Sequence, residues 1–211
     1  MSSTMKRLED CRLYGILDLS YVPPADVVRV ASQMIDGGVD ILQLRAKAFI
    51  PHDVQWFAEQ IHPVTSVAGI PFVINDFPEV ASEIGAEGVH VGQDDMAVDK
   101  AREAAGYRTI IGKSTHSLAQ AMAAAAEDTD YLGFGPLFAT PTKPAYPPIG
   151  LQDIRTVNEM IKKPVFCIGG IKLENLPAVI EAGARRIVIV SGILQADDIA
   201  AYCRKARALL G

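Results

Sequence analysis

The amino-acid sequence predicts an α/β protein folded as a single compact (β/α)8 barrel of the TIM type, and three observations lead to this fold class. Short β-rich runs alternate with helical patterns from Leu13 to Leu210, and eight such units can be counted. Three of the predicted helices end in similar glycine-containing segments, which suit a left-handed helix cap. Polar, small or glycine residues follow nearly every predicted strand, as expected at the functional face of a barrel.

The elements follow one another in regular order. The first half of the chain places strands over residues 13–19, 41–44, 72–75 and 89–91, and helices near 25–36, 52–67, 78–84 and 98–105. The second half places strands over 109–112, 131–133, 165–168 and 187–190, and helices near 118–127, 151–161, 173–182 and 197–209. The glycine-containing segments at 36–40, 84–88 and 181–185 each separate a helix from the next strand. So many consecutive βα units predict that the parallel sheet closes on itself.

Length and charge restrict the class of protein. A chain of 211 residues is short for a barrel, so we expect one domain spanning residues 1–211. Hydrophobic residues make up 49% of the chain, which is enough for a substantial core. The net charge of -5 and the pI near 5.4 disfavour general binding to nucleic acid or to anionic membranes, although a local basic pocket remains compatible with them.

The cysteines and the amino terminus predict a cytoplasmic protein. Cys11, Cys167 and Cys203 are odd in number and widely separated, so neither a disulfide framework nor a thiolate metal site is expected. Residues 1–12 mix acids and bases, and Asp18 interrupts the apolar stretch that follows. This pattern resembles neither a signal peptide nor a membrane span.

The second predicted strand carries the most informative residues. Gln43, Arg45 and Lys47 alternate with apolar residues, so on a strand all three side chains lie on one face. A parallel strand covered on both sides would be almost entirely apolar, and an unpaired buried cation would be very costly. An anionic ligand, such as a phosphate, explains the pattern. The alternative is an exposed strand end with solvated charges.

Two turns after the last two strands suggest a phosphate site. Residues 168–171 (Ile-Gly-Gly-Ile) and 190–193 (Val-Ser-Gly-Ile) offer backbone amides where barrels commonly hold a phosphate, and we call these two turns the phosphate cup. The alternative is that both are ordinary turns. The opposite ends of the strands are expected to carry only helix-capping chemistry.

Carboxylates follow two neighbouring strands on the other side of the predicted mouth. Asp76 and Asp95 could share a hard cation, and magnesium is the natural candidate because it needs only one or two protein carboxylates. Asp76 could instead cap a helix, and Asp94 competes with Asp95 as a ligand or as a cap.

Zinc and covalent chemistry are less well supported by the sequence. His90 and His116 lack the spacing of a zinc site, so we expect both to be structural or to line the pocket. Ser114 has no evident base, and none of the cysteines follows a strand in a basic loop, so covalent catalysis is not expected.

Seven short motifs carry a resemblance to a known family. They are Gln43-Leu44-Arg45-Ala46-Lys47, Ile74-Asn75-Asp76, the segment 88–95 (Gly-Val-His-Val-Gly-Gln-Asp-Asp), Gly112-Lys113-Ser114-Thr115-His116, Gly133-Phe134-Gly135-Pro136, Thr140-Pro141-Thr142-Lys143 and Ile168-Gly169-Gly170-Ile171. Each motif is weak by itself, but their order is highly specific. Over essentially its whole length the chain resembles the thiamine phosphate synthase family.

The resemblance implies a transferase with two small-molecule substrates and a magnesium cofactor. It would join 4-amino-5-hydroxymethyl-2-methylpyrimidine diphosphate to 4-methyl-5-(2-phosphoethyl)thiazole and release diphosphate. By the same resemblance, Gln43 would contact the aminopyrimidine, and Asp76 and Asp95 would bind Mg²⁺. The diphosphate would be held by Asn75 and by four residues that we expect to be catalytic: Arg45, Lys47, Ser114 and Lys143. The thiazole phosphate would be held by Thr140, Thr142, Gly170 and Ser191, with the backbone of Val190.

Two other functions are compatible with this fold. A thiazole tautomerase paralogue would carry a histidine where this chain has Pro136, and it would lack the magnesium carboxylates. A noncatalytic regulator of thiazole phosphate would not need Arg45, Lys47, Asp76 and Asp95 together. The chain also departs from many synthases, which have arginine where Phe77 stands, and the prolines around Tyr146 are uncommon.

Overall fold

The computed structural model describes residues 4–140 and 146–211, and in them eight parallel strands close into a barrel in sequence order. The predicted fold class is therefore confirmed. The strands are β1 Leu13–Asp18, β2 Ile41–Arg45, β3 Phe72–Asn75, β4 Gly88–Val91, β5 Ile110–Thr115, β6 Tyr131–Phe134, β7 Val165–Cys167 and β8 Ile187–Ile189.

Helices connect the strands on the outside of the barrel. They are α1 Val27–Asp36, α2 Pro51–Ala68, α3 Pro78–Ile84, α4 Val98–Ala105, α5 Leu118–Ala126, α6 Ile154–Met160, α7 Leu176–Glu181, α8 Ser191–Leu194 and α9 Ile199–Leu210. Short 3-10 turns at Leu8–Asp10 and Pro24–Asp26 precede β1 and α1. Helix α8 was not predicted, because a four-residue helix is too short to show a helical period in the sequence.

Three glycines take the backbone conformation that the sequence predicted for helix ends. Gly38, Gly85 and Gly183 have φ values of 88°, 70° and 109°. A side chain rarely adopts this left-handed region, so these glycines let each helix stop and turn into the next strand.

The barrel interior contains a layer of aromatic rings below the mouth. Tyr14, Tyr131 and Phe166 are almost fully buried and meet edge to face, with ring centroids 5.4 to 5.9 Å apart. Gly112 leaves space for this layer, since a Cβ atom there would lie 2.0 Å from Cζ of Tyr131. The layer closes the barrel below the mouth, so the cavity above it has a solid floor.

Carboxylates at the amino-terminal end of the barrel correct one expectation. Asp40, Glu87 and Asp130 stand immediately before β2, β4 and β6, and each accepts backbone N–H groups at the start of the preceding strand. Asp40, for example, accepts from Arg12 and Leu13 at 2.7 and 2.9 Å. The prediction of helix-capping chemistry alone at this end was wrong, because single-strand patterns do not reveal which amides at strand starts require an acceptor.

Replacing Asp40 should test the role of these carboxylates in stability. Asp40 is 2% exposed, forms an ion pair with Lys6 and lies 3.7 Å from Nε of Arg207. Asp40→Ala leaves two backbone donors and the cations without their partner, so we expect the free energy of unfolding to fall by about 2 to 5 kcal/mol. Urea denaturation measures this change. Asp36→Ala, at an exposed position in α1, is the matched control, and an equal loss in both variants would contradict the expectation.

Candidate active site

One cavity lies at the carboxyl-terminal mouth of the barrel, with a volume of about 700 Å³ including its open entrance. Eight of the predicted site residues line it: Gln43, Arg45, Asn75, Ser114, Thr140, Gly170, Val190 and Ser191. Lys47, Asp76 and Asp95 form a separate charged group and are not among its lining residues. Thr142 and Lys143 lie outside the described residues. The fold thus brings together residues from distant parts of the sequence.

Gln43 and Arg45 lie where the alternation of strand two predicted them. Both side chains line the cavity, and Gln43 is only 1% exposed. Burial excludes the alternative of a solvated strand end for these two residues. Lys47 lies beyond the end of β2, and its side chain is 45% exposed.

Arg45 is held by a partner that the sequence analysis did not identify. Its Nη1 atom lies 2.5 Å from Oδ2 of Asp18, the last residue of β1, and Asp18 is 1% exposed. The other carboxylate oxygen of Asp18 accepts from the backbone N–H and the hydroxyl of Ser20 at 2.9 and 2.7 Å. A saturated, buried carboxylate of this kind fixes the guanidinium at the edge of the cavity. The parallel register aligns Asp18 with Arg45, and only strand pairing reveals that register.

Lys47 joins the two carboxylates of the predicted metal site. Its Nζ atom lies 2.7 Å from Oδ2 of Asp76 and 3.9 Å from Oδ1 of Asp95. Burial raises the pKa of Asp76, Lys47 opposes this shift, and the nearby charge of Asp95 adds to it. Because the two neighbouring carboxylates repel each other, this group favours the binding of an additional cation.

Asp76 also has an unusual backbone. Its φ value is 68°, and it is the one non-glycine residue among those described with a positive φ. Such a conformation costs about 1 to 3 kcal/mol and is found preferentially at functional sites. Its backbone N–H donates to the carbonyl of His90 at 2.9 Å, which ties the turn after β3 to β4.

The alternative role of helix capping does not apply to these acids. The N-cap residues of α3 and α4 are Phe77 and Ala97, and neither cap has a side-chain hydrogen bond. The structure also separates the neighbouring acids. Oδ2 of Asp94 accepts from the hydroxyl of Tyr146 at 2.8 Å, whereas Asp95 faces Lys47 and accepts from the backbone N–H of Gly92 at 2.8 Å.

Ser114 lies within β5 rather than in the loop that follows it. Its Oγ atom is 2.9 Å from Nε2 of His90, so the statement that Ser114 has no nearby base is corrected. The two residues are far apart in sequence, and the pairing of β4 with β5 brings them together. His90 and His116 both line the cavity, as expected.

The phosphate cup forms one wall of the same cavity. Gly169 and Gly170 have φ values of 101° and 65°, and a Cβ atom at Gly169 would lie 2.4 Å from Cα of Pro136. Only glycine fits this turn. The side chain of Asn175, not identified from the sequence, donates to the carbonyl of Gly170 at 2.9 Å and stabilises the turn. The prediction of a turn over residues 190–193 is corrected: β8 ends at Ile189 and Ser191 already begins α8, so this part of the phosphate cup is the start of a short helix.

The three cysteines do not belong to this site. Cys11, Cys167 and Cys203 are free and fully buried, and burial raises the pKa of each thiol to about 12. This burial agrees with the expectation that the cysteines are not nucleophiles, because the reactive form of cysteine is the thiolate.

Thiol titration at pH 8 gives a direct check. A pKa of about 12 leaves roughly one thiol in ten thousand ionised at that pH. We expect almost no rapid reaction of the native protein with an aromatic disulfide reagent and full reaction of all three thiols in denaturant. Rapid labelling of any of them in the native state would contradict this assignment. The denatured sample is the control for total thiol content.

Within residues 4–140 and 146–211, none of the helices combines the length and the apolar character needed to cross a membrane. The same residues contain no group of three or more histidine, cysteine or acidic side chains arranged to hold a metal ion. A metal at Asp76 and Asp95 would therefore have to be one that accepts two protein carboxylates.

A closed parallel barrel with charged groups gathered around one cavity at its carboxyl-terminal mouth has the architecture of a TIM-barrel enzyme. The family model for thiamine monophosphate synthase matches residues 13–193. The chain belongs to the thiamine monophosphate synthase family.

Similar proteins agree with this membership. The thiamine-phosphate synthase of Gloeobacter violaceus is 41% identical over 91% of the chain, which spans 55% of that longer protein. The thiamine-phosphate synthase of Chloroflexus aurantiacus is 38% identical, with 98% of this chain and 96% of that protein covered. The solved thiamine phosphate pyrophosphorylase of Pyrococcus furiosus superposes with a TM-score of 0.88 at 30% identity, over 96% of each chain.

Proposed function

We propose that this protein is a transferase that joins 4-amino-5-hydroxymethyl-2-methylpyrimidine diphosphate to 4-methyl-5-(2-phosphoethyl)thiazole, giving thiamine phosphate and diphosphate. The names of its relatives support this reaction. The observation that carries it is the composition of a single cavity, with Arg45 and Asn75 on one side and the phosphate cup on the other. Such a cavity suits two phosphorylated substrates placed face to face.

The pyrimidine diphosphate would occupy the side formed by β2, β3 and β5. Gln43 can both donate to and accept from the aminopyrimidine. Arg45, Lys47 and Ser114 would hold the diphosphate, together with Lys143, which lies outside the described residues. Asn75 supports this assignment, because its buried Nδ2 atom has no hydrogen-bond partner among the described residues. A diphosphate oxygen would satisfy that donor.

Asp76 and Asp95 would hold Mg²⁺ beside the diphosphate. The position of both acids around Lys47 and the two-carboxylate donor set fit this ion, which takes its remaining ligands from water and phosphates. When bound, magnesium supplies positive charge that stabilises the departing diphosphate. Lys47, already between the two acids, would add its own charge to the same region.

The thiazole phosphate would occupy the opposite wall. Thr140, Gly170, Val190 and Ser191 line the cavity there, and Thr142 lies outside the described residues. The close packing of Gly169 and Gly170 against residues 136–139 leaves no space for a side chain, so the ligand would meet the backbone itself.

The reaction requires one bond to break and one to form. The bond between the pyrimidine methylene carbon and the diphosphate oxygen breaks, and its electron pair leaves with the diphosphate. The lone pair of the thiazole nitrogen then forms the new carbon–nitrogen bond. Arg45, Lys47 and Ser114 stabilise the growing negative charge on the leaving group, and the phosphate cup keeps the nitrogen near the carbon. No protein nucleophile is needed.

An assay with purified protein distinguishes this function from its two rivals. With both substrates and Mg²⁺ we expect thiamine phosphate, and with a chelator we expect little or none. A tautomerase would convert thiazole isomers without the pyrimidine diphosphate, and a regulator would bind thiazole phosphate without forming any product. Pro136, where the tautomerase pattern has histidine, favours the synthase. Absence of thiamine phosphate with both substrates and magnesium present would refute the proposal.

We propose a cytoplasmic location as well, supported by the three free cysteines. The expected partners are the two small molecules alone, since the acidic balance of the chain gives no support for a nucleic-acid or membrane surface.

A further inference from the structure

Five side chains form a continuous chain of hydrogen bonds beneath the cavity. Nε2 of Gln43 donates to the hydroxyl of Tyr14 at 2.7 Å, and this hydroxyl lies 2.9 Å from that of Tyr131. The Tyr131 hydroxyl lies 3.0 Å from Nδ1 of His90, and Nε2 of His90 lies 2.9 Å from Oγ of Ser114. We call these five residues the buried relay. It crosses the barrel interior from β2 to β5 by way of β1, β6 and β4.

The two tyrosines of the relay are tightly packed and uncharged. Tyr14 and Tyr131 are each 1% exposed and belong to the aromatic layer that packs around Phe166. Burial raises the pKa of both tyrosines, so both hydroxyls keep their protons at neutral pH. The ring of Tyr131 fills the space that Gly112 leaves, as described above. The two tyrosine rings are therefore held in place, and what can change is the direction of the hydroxyl protons and the orientation of the Gln43 amide.

The direction of one hydrogen bond determines the direction of the next. Each tyrosine hydroxyl has a single proton, and a neutral imidazole donates from one nitrogen and accepts at the other. When Gln43 donates to Tyr14, Tyr14 must donate to Tyr131, and Tyr131 must donate to Nδ1 of His90. His90 then carries its proton on Nε2 and donates to Ser114. In this direction the hydroxyl of Ser114 has its own proton to give to another group.

Reversing every hydrogen bond of the relay removes the ability of Ser114 to donate to a ligand. Turning the Gln43 amide over presents its oxygen to Tyr14, and every donor and acceptor along the relay is exchanged. Ser114 would then donate to His90 and could only accept from a ligand. A leaving diphosphate needs donors, so just one of the two directions suits it.

We propose that Tyr14, Tyr131 and His90 are positioning residues, which transmit the orientation of the Gln43 amide to the hydroxyl of Ser114. This inference rests on the proposed function, in which Gln43 contacts the pyrimidine and Ser114 contacts the diphosphate. The ligand-free protein would already hold Gln43 in the orientation that makes Ser114 a donor, and a pyrimidine that binds Gln43 in that orientation would keep Ser114 as a donor to the leaving group. The relay would link recognition at one end of this substrate to stabilisation of charge at the other.

Histidine NMR on the purified, ligand-free protein tests the relay without any measurement of activity. We expect His90 in the wild type to be a single neutral tautomer with its proton on Nε2. In Tyr14→Phe we expect a mixture of both tautomers, although Tyr14 is two hydrogen bonds away from His90. If Tyr14→Phe fails to fold, Gln43→Met removes the same donor at the start of the relay and carries the same expectation. A proton on Nδ1 in the wild type, or a tautomer unchanged in the folded variant, would overturn the proposal.

Steady-state kinetics supplies the functional readout. We expect Tyr14→Phe and Tyr131→Phe each to lower kcat by about tenfold, and the double variant to be no worse than either, because the relay acts as one unit. The KM for the thiazole phosphate should be unchanged. Thr65→Val is the matched control, since Thr65 is fully buried in α2 and its hydroxyl bonds only to the carbonyl of His62 among the contacts described. Additive losses, or an equal loss in the control, would contradict the inference.

The two proposals can fail separately. A wild type that makes no thiamine phosphate but shows the tautomer change in Tyr14→Phe would refute the proposed reaction and leave the relay standing. An active wild type in which the His90 tautomer is unchanged by Tyr14→Phe would support the proposed reaction and refute the relay.

Discussion

Turnover is expected to fall by about a hundredfold or more when Arg45→Met is introduced together with Asp18→Asn. The double variant removes the guanidinium from the edge of the cavity, where it would stabilise the departing diphosphate. It also replaces the buried carboxylate that the guanidinium neutralises, so no isolated charge remains in the interior. The measurement is kcat with both substrates and Mg²⁺ at saturation, alongside the unfolding midpoint in urea.

The paired design follows from a contact that the sequence did not reveal. From the sequence alone, Arg45→Ala and Lys143→Ala are each expected to lower turnover about a hundredfold with the fold intact. The Arg45–Asp18 pair changes the expectation for the fold, because removing one partner of a buried pair costs about 3 to 5 kcal/mol. Asp18→Asn alone separates the two effects, because it keeps the guanidinium and an amide oxygen that can accept from it; we expect it to be less stable than the wild type and more active than the double variant. Near-normal turnover in the double variant would contradict the role of Arg45 in stabilising the diphosphate.

A loss of turnover of similar size is expected when either acid of the predicted magnesium site is replaced by its amide. Asp76→Asn and Asp95→Asn keep the shape of each side chain, and asparagine tolerates the positive φ of residue 76. The amide at 95 can still accept from the backbone N–H of Gly92. We therefore expect both variants to fold, to turn over about a hundredfold more slowly and to need more Mg²⁺ for half-maximal rate.

The neighbouring acid provides the control for this prediction. Asp94 bonds to Tyr146 and not to Lys47 among the contacts described, and Asp94→Asn can keep its bond to the tyrosine hydroxyl. We expect its magnesium dependence to match that of the wild type. Titration of initial rate against Mg²⁺ concentration compares the three variants. The assignment fails if the curve for Asp94→Asn shifts while those for Asp76→Asn and Asp95→Asn do not.

Local patterns were sufficient for the architecture. Each strand is a short apolar run, every helix except the four-residue α8 has its own period, and glycines such as Gly85 stand where the backbone must become left-handed. These are properties of neighbouring residues, so they can be read from a single sequence. The same holds for the order of the family motifs and for the face that Gln43 and Arg45 share.

Contacts between residues that are distant in sequence could not be predicted from local patterns. The pairing of Asp18 with Arg45, of Ser114 with His90 and of Tyr14 with Tyr131 depends on strand register and on closure of the barrel. The role of the Asp40 carboxylate as a hydrogen-bond acceptor likewise depends on its position beside the start of β1 in the fold.

By itself, the sequence determined the barrel, its functional end and the chemical types gathered there, because periodicity and strand-end composition are local. The tertiary structure alone decided which charged groups form ion pairs, how deeply each group is buried and which hydroxyls hydrogen-bond to one another. Those properties depend on distances across the closed sheet, and the order of residues along the chain does not contain them.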